Sequence, residues 1–131
     1  MRPVTVATGL RGEAKMVVGV HDTARALGSG TVEVLGTPRL LALCEEACCR
    51  AMALSLPDGT TTVGMKVRLD HLQPSPVGAT VIAEAMLSKV EGRRLTFTVS
   101  ASDDRGLVAV GKVVRVVVDV ERFLGKCGAG C

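Results

Sequence analysis

Aromatic residues are nearly absent from this sequence, which contains no tryptophan, no tyrosine and only two phenylalanines among 131 residues. Modules that bind single-stranded nucleic acid stack bases on exposed aromatic rings, so this composition argues against a nucleic-acid partner. Hydrophobic residues still make up 47% of the chain, and the core must therefore be built from valine, leucine, alanine and methionine. A chain of this length forms one ordinary domain that buries roughly two-thirds of its unfolded surface.

Long apolar runs and blocks of like charge are also missing. No apolar run approaches the length of a membrane span and the N-terminus lacks a signal-like apolar segment, so we expect no membrane partner. The net charge of +3 is mild, as is typical of a solvated surface, and is compatible with a small anionic ligand. The five cysteines include no C-x-x-C pair, and no histidine stands at ligand spacing from them. We therefore expect no metal site and a cytoplasmic location.

One segment carries a helical pattern. Residues 38–52 predict a single amphipathic helix, with Thr37 as a candidate N-cap and Pro38 at the favoured first position. At about 100° per residue, Glu45 points toward the apolar side, together with Leu41, Cys49 and Met52.

The remaining segments alternate with period two. This pattern predicts strands over 14–20, 61–72, 79–90, 93–102 and 107–120. Within the second strand, one face would carry Val63, Met65, Val67, Leu69 and His71. The order predicts an α+β domain in which one long helix lies across a five-stranded antiparallel sheet. The exposed edge of such a valine-rich sheet favours pairing with a second copy, which predicts a homodimer, with a tetramer as the alternative.

Glu45 and His71 are therefore ionisable residues on faces that the pattern turns inward. A buried carboxylate is costly unless it is paired or used, so the two together indicate a site. Simpler interpretations stay open at this point: His71 can be a satisfied core histidine, Thr37 can be only a cap, and Glu45 can reach water or pair with Lys66.

Three stretches resemble the fluoroacetyl-coenzyme A thioesterase family of hotdog-fold proteins. They are Thr37 through Met52, His71 before Pro74, and Val90 through Ala101, within a similarity that runs from about Val20 to Phe123. The resemblance implies a single hotdog domain over 1–124, followed by a glycine-rich tail, 125–131, that we expect to be flexible.

The same resemblance implies an activity. It is hydrolysis of a short-chain acyl-coenzyme A thioester to the free acid and coenzyme A, at a dimer-interface site and without a resident cofactor. Thr37, Glu45 and His71 match the family's catalytic set, and the backbone at Val63 or Gly64 matches a further substrate contact. The segment 28–36, which precedes the threonine, has no aromatic residue, whereas the family's lid carries a phenylalanine. We therefore expect a generic short acyl group, and the alternative is a non-catalytic dimer that binds acyl-coenzyme A or another small molecule.

Arg93 and Arg94 stand at a predicted hairpin tip, where they either hold coenzyme A phosphates or form a solvated turn.

Thr37 and Glu45 are eight positions apart, which is about 12 Å of helix rise, so they cannot touch within one regular helix. Either the substrate spans them, or the first turn is irregular, or the site takes residues from two chains.

Overall fold

The computed structural model describes residues 6–128. Its long helix, α2, spans Thr37–Met52, and the short helical elements are a 3-10 turn at Val20–Asp22, α1 at Ala24–Leu27 and α3 at Val120–Gly125. The strands are β1 (Arg11–Val17), β2 (Thr60–His71), β3 (Thr80–Glu91), β4 (Arg94–Asp103) and β5 (Gly106–Asp119). The predicted order of long helix and strands is confirmed, with strand ends shifted by at most about three residues, the ordinary error of a pattern-based boundary.

All five strands form one antiparallel sheet in the order β1-β3-β4-β5-β2. The central strand β4 turns its apolar residues inward as predicted, and the buried set is Leu95, Phe97, Val99 and Ala101. The two strands that flank the long helix in sequence, β1 and β2, are the edges of the sheet. Among residues 6–128, no strand pairs with the outer side of β2, which is 12 residues long.

The long helix buries one continuous face against the sheet. That face consists of Leu40, Leu43, Cys44, Ala47, Cys48, Ala51 and Met52, which follows the spacing of an amphipathic helix. Gly12 lets β1 approach closely, because a Cβ atom there would collide with the backbone of Ala47 and Ala51. The prediction that Glu45 shares the apolar side of the helix with Cys49 is wrong, because Cys49 is exposed. Glu45 lies instead at the edge of the buried face, on the side that approaches β2.

A bulge in β2 changes which of its residues face the helix. The register with β5 shifts between Gly64 and Lys66, so that Gly64 pairs with Arg115, whereas Val67 pairs with Val113. Directly paired residues project from the same face of a sheet. The uninterrupted alternation predicted from Val63 to His71 is therefore wrong, because Gly64 rather than Val63 faces inward on the far side of the bulge.

Two loops are tied together beside the start of α2. The backbone N–H of Leu35 donates to the carbonyl of Ser75 at 2.9 Å, and the buried Ser75 hydroxyl donates to the Asp103 carboxylate at 2.9 Å. Burial alone would raise the pKa of Asp103, but hydrogen bonds from the backbone of Arg105 and from Ser75 outweigh it and lower that pKa. The loop after β2 is thus anchored to the turn between β4 and β5.

Beyond β5 the chain forms α3, which ends at Gly125, and a turn over 126–128. The predicted flexible tail begins there, and residues 129–131 lie outside the described part of the chain. Its flexibility stays a prediction.

Candidate active site

Thr37 and His71 form a direct side-chain pair. Thr37 is the first residue of α2 and His71 is the last residue of β2, and the Thr37 hydroxyl oxygen lies 2.8 Å from Nδ1 of His71. The predicted capping role of Thr37 is wrong, since Gly36 occupies the N-cap position and no side chain caps this helix. Its hydroxyl is instead available for chemistry beside an imidazole, the arrangement in which a base activates an oxygen nucleophile.

The surroundings of His71 favour the neutral form of its imidazole. Burial lowers the pKa of His71, and a hydrogen bond with the backbone of Gln73 offsets this only in part. Within residues 6–128, Nε2 of His71 is the one buried side-chain nitrogen or oxygen without a hydrogen-bond partner. An enclosed and unpaired ring nitrogen is costly unless a ligand uses it. His71 is therefore equipped to accept or deliver a proton to a bound molecule.

The pair opens onto a cleft with a volume of about 320 Å³. Its walls come from the segment before α2 and from the loop after β2, and its lining includes Val32, Val34, Thr37, His71 and Pro74. The wall residues are small and mostly aliphatic.

Glu45 is fixed by a residue that the sequence interpretation overlooked. Its Oε2 accepts a hydrogen bond of 2.7 Å from the guanidinium of Arg115, and the Glu45 side chain is 31% exposed, whereas that of Arg115 is 8% exposed. Arg115 also donates to the hydroxyl of Thr62 at 2.9 Å and to its carbonyl at 2.8 Å. The alternative partner Lys66 is not used. Arg115 thus holds the carboxylate of Glu45 in one orientation.

Gly64 makes the position of this carboxylate possible. A Cβ atom at Gly64 would lie 2.7 Å from Oε2 of Glu45 and 3.7 Å from the guanidinium of Arg115. Only glycine leaves room for the carboxylate to approach the β2 backbone here. Gly64 lies on the side of β2 that faces Glu45, and the substrate contact expected of the backbone at Val63 or Gly64 stays a prediction.

The three predicted catalytic residues do not converge within a single chain. Thr37 and His71 meet at one end of β2, whereas Glu45 lies beside Gly64, seven strand positions away, or about 20 Å. The first turn of α2 is helical, with the backbone N–H of Leu40 donating to the carbonyl of Gly36 at 3.0 Å, so an irregular turn does not bring Thr37 and Glu45 together.

The two hairpin arginines are separated by the structure. Arg93 lines a second cleft at the end of β5, with a volume of about 230 Å³, and Arg94, the first residue of β4, is not among its lining residues.

Arg115 could have been found from the sequence, since a charged residue interrupts the inward alternation between Val113 and Val117. Thr62 gave no comparable signal.

Residues 6–128 give little support for a cysteine nucleophile, a metal site or a membrane-spanning helix. Burial, with a smaller contribution from the Glu45 charge, raises the pKa of Cys44 to about 11, so this thiol is not a ready nucleophile. No cluster of three or more potential metal ligands occurs in the described residues. In the same part of the chain, every helix is too short or too polar to cross a bilayer.

Comparisons with known proteins identify the family of this chain. Residues 18–121 match the family model of the fluoroacetyl-CoA-specific thioesterase. The fluoroacetyl-CoA thioesterase of Streptantibioticus cattleyicolor is 37% identical over 116 residues, which cover 84% of each chain.

Solved structures of related proteins have the same fold as this chain. A variant of the fluoroacetyl-CoA-specific thioesterase in complex with fluoroacetate and CoA is 35% identical, with a TM-score of 0.85 over 90% of this chain and 99% of that one. A hot-dog-like protein from Thermanaerovibrio acidaminovorans is 26% identical, with a TM-score of 0.83 over 92% of this chain and 89% of that one. The predicted fold is confirmed: this chain is a hotdog-fold thioester hydrolase and belongs to the fluoroacetyl-CoA-specific thioesterase family.

Proposed function

We propose that this protein hydrolyses a short-chain acyl-coenzyme A thioester at a composite site between two subunits. Thr37 and His71 come from one subunit and Glu45 comes from its partner. The observation that carries the proposal is the separation of these groups by about 20 Å along β2, combined with the unpaired edge of that strand.

A homodimer through β2 would reunite the site. Antiparallel pairing of the two β2 edges about a two-fold axis near Val67 would place Gly64 of one chain opposite His71 of the partner subunit. The bulge supports this register, because it puts Gly64 and His71 on the same face of the strand although they are an odd number of positions apart. Met65 and Val67 are 50% and 40% exposed on this edge, which is apolar surface that a second copy would cover.

The reaction needs an oxygen nucleophile, a proton carrier and donors for the developing oxyanion. Oxygen attacks the carbonyl carbon, the carbon–sulfur bond breaks, and the leaving thiolate takes a proton through the imidazole of His71. Thr37 shares a proton with that imidazole and orients it toward the substrate. Backbone N–H groups at Val63 or Gly64 are the proposed oxyanion donors. These groups act without a resident cofactor.

Glu45 can supply the attacking oxygen in two ways. As a base it takes a proton from water, and as a nucleophile it forms a mixed anhydride that water then cleaves. Single-turnover hydrolysis in ¹⁸O-labelled water tests for the nucleophilic route, because water that cleaves the anhydride at the Glu45 carbonyl leaves the label in the enzyme carboxylate, which the base route never does.

The acyl group is proposed to be small and aliphatic. Val32 and Val34 line the cleft around the Thr37–His71 pair, and no aromatic residue occurs in 28–36 to enclose a particular substituent.

The buried thiols of Cys44 and Cys48 fit the reducing cytoplasm that we propose as the location.

Mixed dimers test both parts of the proposal. Thr37→Ala and Glu45→Gln chains, with different affinity tags, are co-expressed, and thiol release from acetyl-, propionyl- and butyryl-coenzyme A is followed. Each homodimer should be nearly inactive, and the purified mixed dimer should recover up to about half of the wild-type rate, since one of its two sites is intact. Folded mixed dimers without recovery would refute the composite site, and wild-type protein without turnover of any thioester would refute the hydrolysis.

A further inference from the structure

The cleft beside the Thr37–His71 pair has walls from two separate segments of the chain. One wall lies within residues 29–35, before α2, and the other is residues 72–74, after β2. Each wall leads directly to one member of the pair, since Thr37 begins α2 and His71 ends β2. An interaction that fixes the distance between the walls therefore also fixes the width of the cleft and the contact within the pair.

Ser75 joins the two walls. The backbone N–H of Leu35 donates to the carbonyl of Ser75 at 2.9 Å, and Val34 forms a β-bridge with Pro76. Leu35 is two positions before the threonine of the pair, and Ser75 is four positions after its histidine. Prolines on both sides of Ser75 restrict the backbone, so this short segment moves as one stiff unit.

Asp103 holds Ser75 in place from the turn between β4 and β5. Ser75 is fully buried, and its hydroxyl donates to Oδ2 of Asp103 at 2.9 Å. The Asp103 side chain is 1% exposed, and its Oδ1 accepts a hydrogen bond of 2.9 Å from the backbone N–H of Arg105. The guanidinium of Arg105 donates to the carbonyl of Pro74. The turn therefore holds the second wall at two consecutive residues.

This network fixes a geometry that apolar contacts would leave loose. A carboxylate loses its hydration on burial, and the loss is offset only where hydrogen-bond donors stand in fixed positions. A satisfied buried network therefore specifies one arrangement of its members. The walls of the cleft are mostly aliphatic, and the packing of aliphatic groups is non-directional. Directional bonds are needed to set the separation of the walls, and Ser75 supplies one.

We propose that Asp103 and Ser75 are positioning residues that hold the two walls at one separation and so select the length of the acyl chain that reacts in the cleft. Neither residue lines the cleft, and they act through Leu35 and Pro74, which do. The inference rests on the proposed function for the identity of the substrate and adds a basis for chain-length selection. Without the Asp103–Ser75 bond the walls can part, which misaligns a short acyl group and makes room for a longer one.

The test compares acetyl-coenzyme A with butyryl-coenzyme A, and the readout is the acetyl-to-butyryl ratio of kcat/KM. In Ser75→Ala and Asp103→Asn, kcat for acetyl-coenzyme A should fall about tenfold and the ratio should fall about threefold or more. Two matched controls should leave the ratio unchanged. Ser100→Ala removes a hydroxyl from the outward face of β4, and Asp104→Asn removes an exposed carboxylate from the same turn.

A third variant guards against misfolding of the buried ones. The Arg105 side chain is 54% exposed, so Arg105→Gln leaves the core intact while it removes the bond to the Pro74 carbonyl. Its ratio should fall about twofold. A ratio that is unchanged or raised in folded Ser75→Ala and Arg105→Gln would overturn the inference, even if both substrates react more slowly, because a general loss of stability lowers the two rates together.

A readout without turnover separates this inference from the proposed function. Diethyl pyrocarbonate transfers an ethoxycarbonyl group to an accessible imidazole nitrogen, and mass spectrometry resolves the two histidines of the chain. Nε2 of His71 is enclosed, whereas His21 is exposed and serves as the internal reference. The rate of modification of His71 relative to His21 should rise about fivefold or more in Ser75→Ala, because the walls open, and should not change in Ser100→Ala.

The two readouts give distinguishable failures. An unchanged relative rate of modification in Ser75→Ala would refute the role of Ser75, whether or not the wild-type protein hydrolyses a thioester. A raised relative rate in a protein that hydrolyses neither substrate would support the positioning of the walls, while the proposed substrate fails.

Discussion

Replacing Arg115 with methionine should destabilise the protein by about 1.5–3 kcal/mol. The substitution removes the 2.7 Å bond to Glu45 and the two bonds to Thr62. Losing a charge-assisted bond costs about 1.5–3 kcal/mol, and an unsatisfied Thr62 carbonyl adds about 1 kcal/mol or more. The apolar methionine side chain offsets about 1 kcal/mol of this loss. The cost stays below that of a fully buried pair, because Glu45 is 31% exposed.

The measurement is urea unfolding followed by far-ultraviolet circular dichroism at one fixed protein concentration, since association would shift the apparent stability. Lys112→Met is the control, because Lys112 is an exposed cation on the same strand; it should change stability by no more than about 0.5 kcal/mol. The loss from Arg115→Met would be a large part of the 5–15 kcal/mol typical of a domain, so the midpoint should fall clearly.

A double-mutant cycle tests the reason for the loss. Glu45→Gln should cost about 1–2 kcal/mol in the wild-type background and close to zero in the Arg115→Met background, because the ion pair is already gone. An Arg115→Met protein that loses less than about 1 kcal/mol, or a Glu45→Gln cost that is equal in both backgrounds, would refute the role of Arg115 as the anchor of this carboxylate.

Three other perturbations probe the same geometry. Gly64→Ala should lower kcat/KM by about tenfold to a hundredfold, because the added methyl group displaces the Glu45 carboxylate. Thr61→Ala, on the outward face of β2, is its control. Full activity of Gly64→Ala would contradict the close approach of the Glu45 carboxylate to the β2 backbone. Since burial lowers the pKa of His71 from its ordinary value of 6.5, kcat/KM should rise with pH below 6.5 and be level at neutral pH; an acid limb centred above pH 7 would show that His71 does not act as a neutral imidazole. The lowered pKa of Asp103 contributes stability that is fully present above about pH 4 and is lost as the pH falls through the folded-state pKa. Asp103→Asn should therefore cost about 1–3 kcal/mol at pH 7 and should flatten the acid side of the stability profile; an unchanged profile would contradict this account.

The amino-acid sequence by itself determined the elements and their order. Period-two alternation in β4 and β5 and the helical spacing within residues 38–52 are local patterns, because each reflects which side of one element is buried. The sequence also indicated Thr37, Glu45 and His71, since polar or ionisable residues at inward or terminal positions stand out against a valine- and leucine-rich background.

Tertiary structure decided how those residues are partnered. The β2 bulge, which brings Gly64 to the inward face, depends on the register with β5, and no local pattern specifies that register. Thr37 pairs with His71 and Glu45 with Arg115 because distant segments meet across the sheet, 34 and 70 positions apart in the chain. A sequence pattern shows which way a side chain faces, whereas only the packing of helix against sheet fixes which group it meets there.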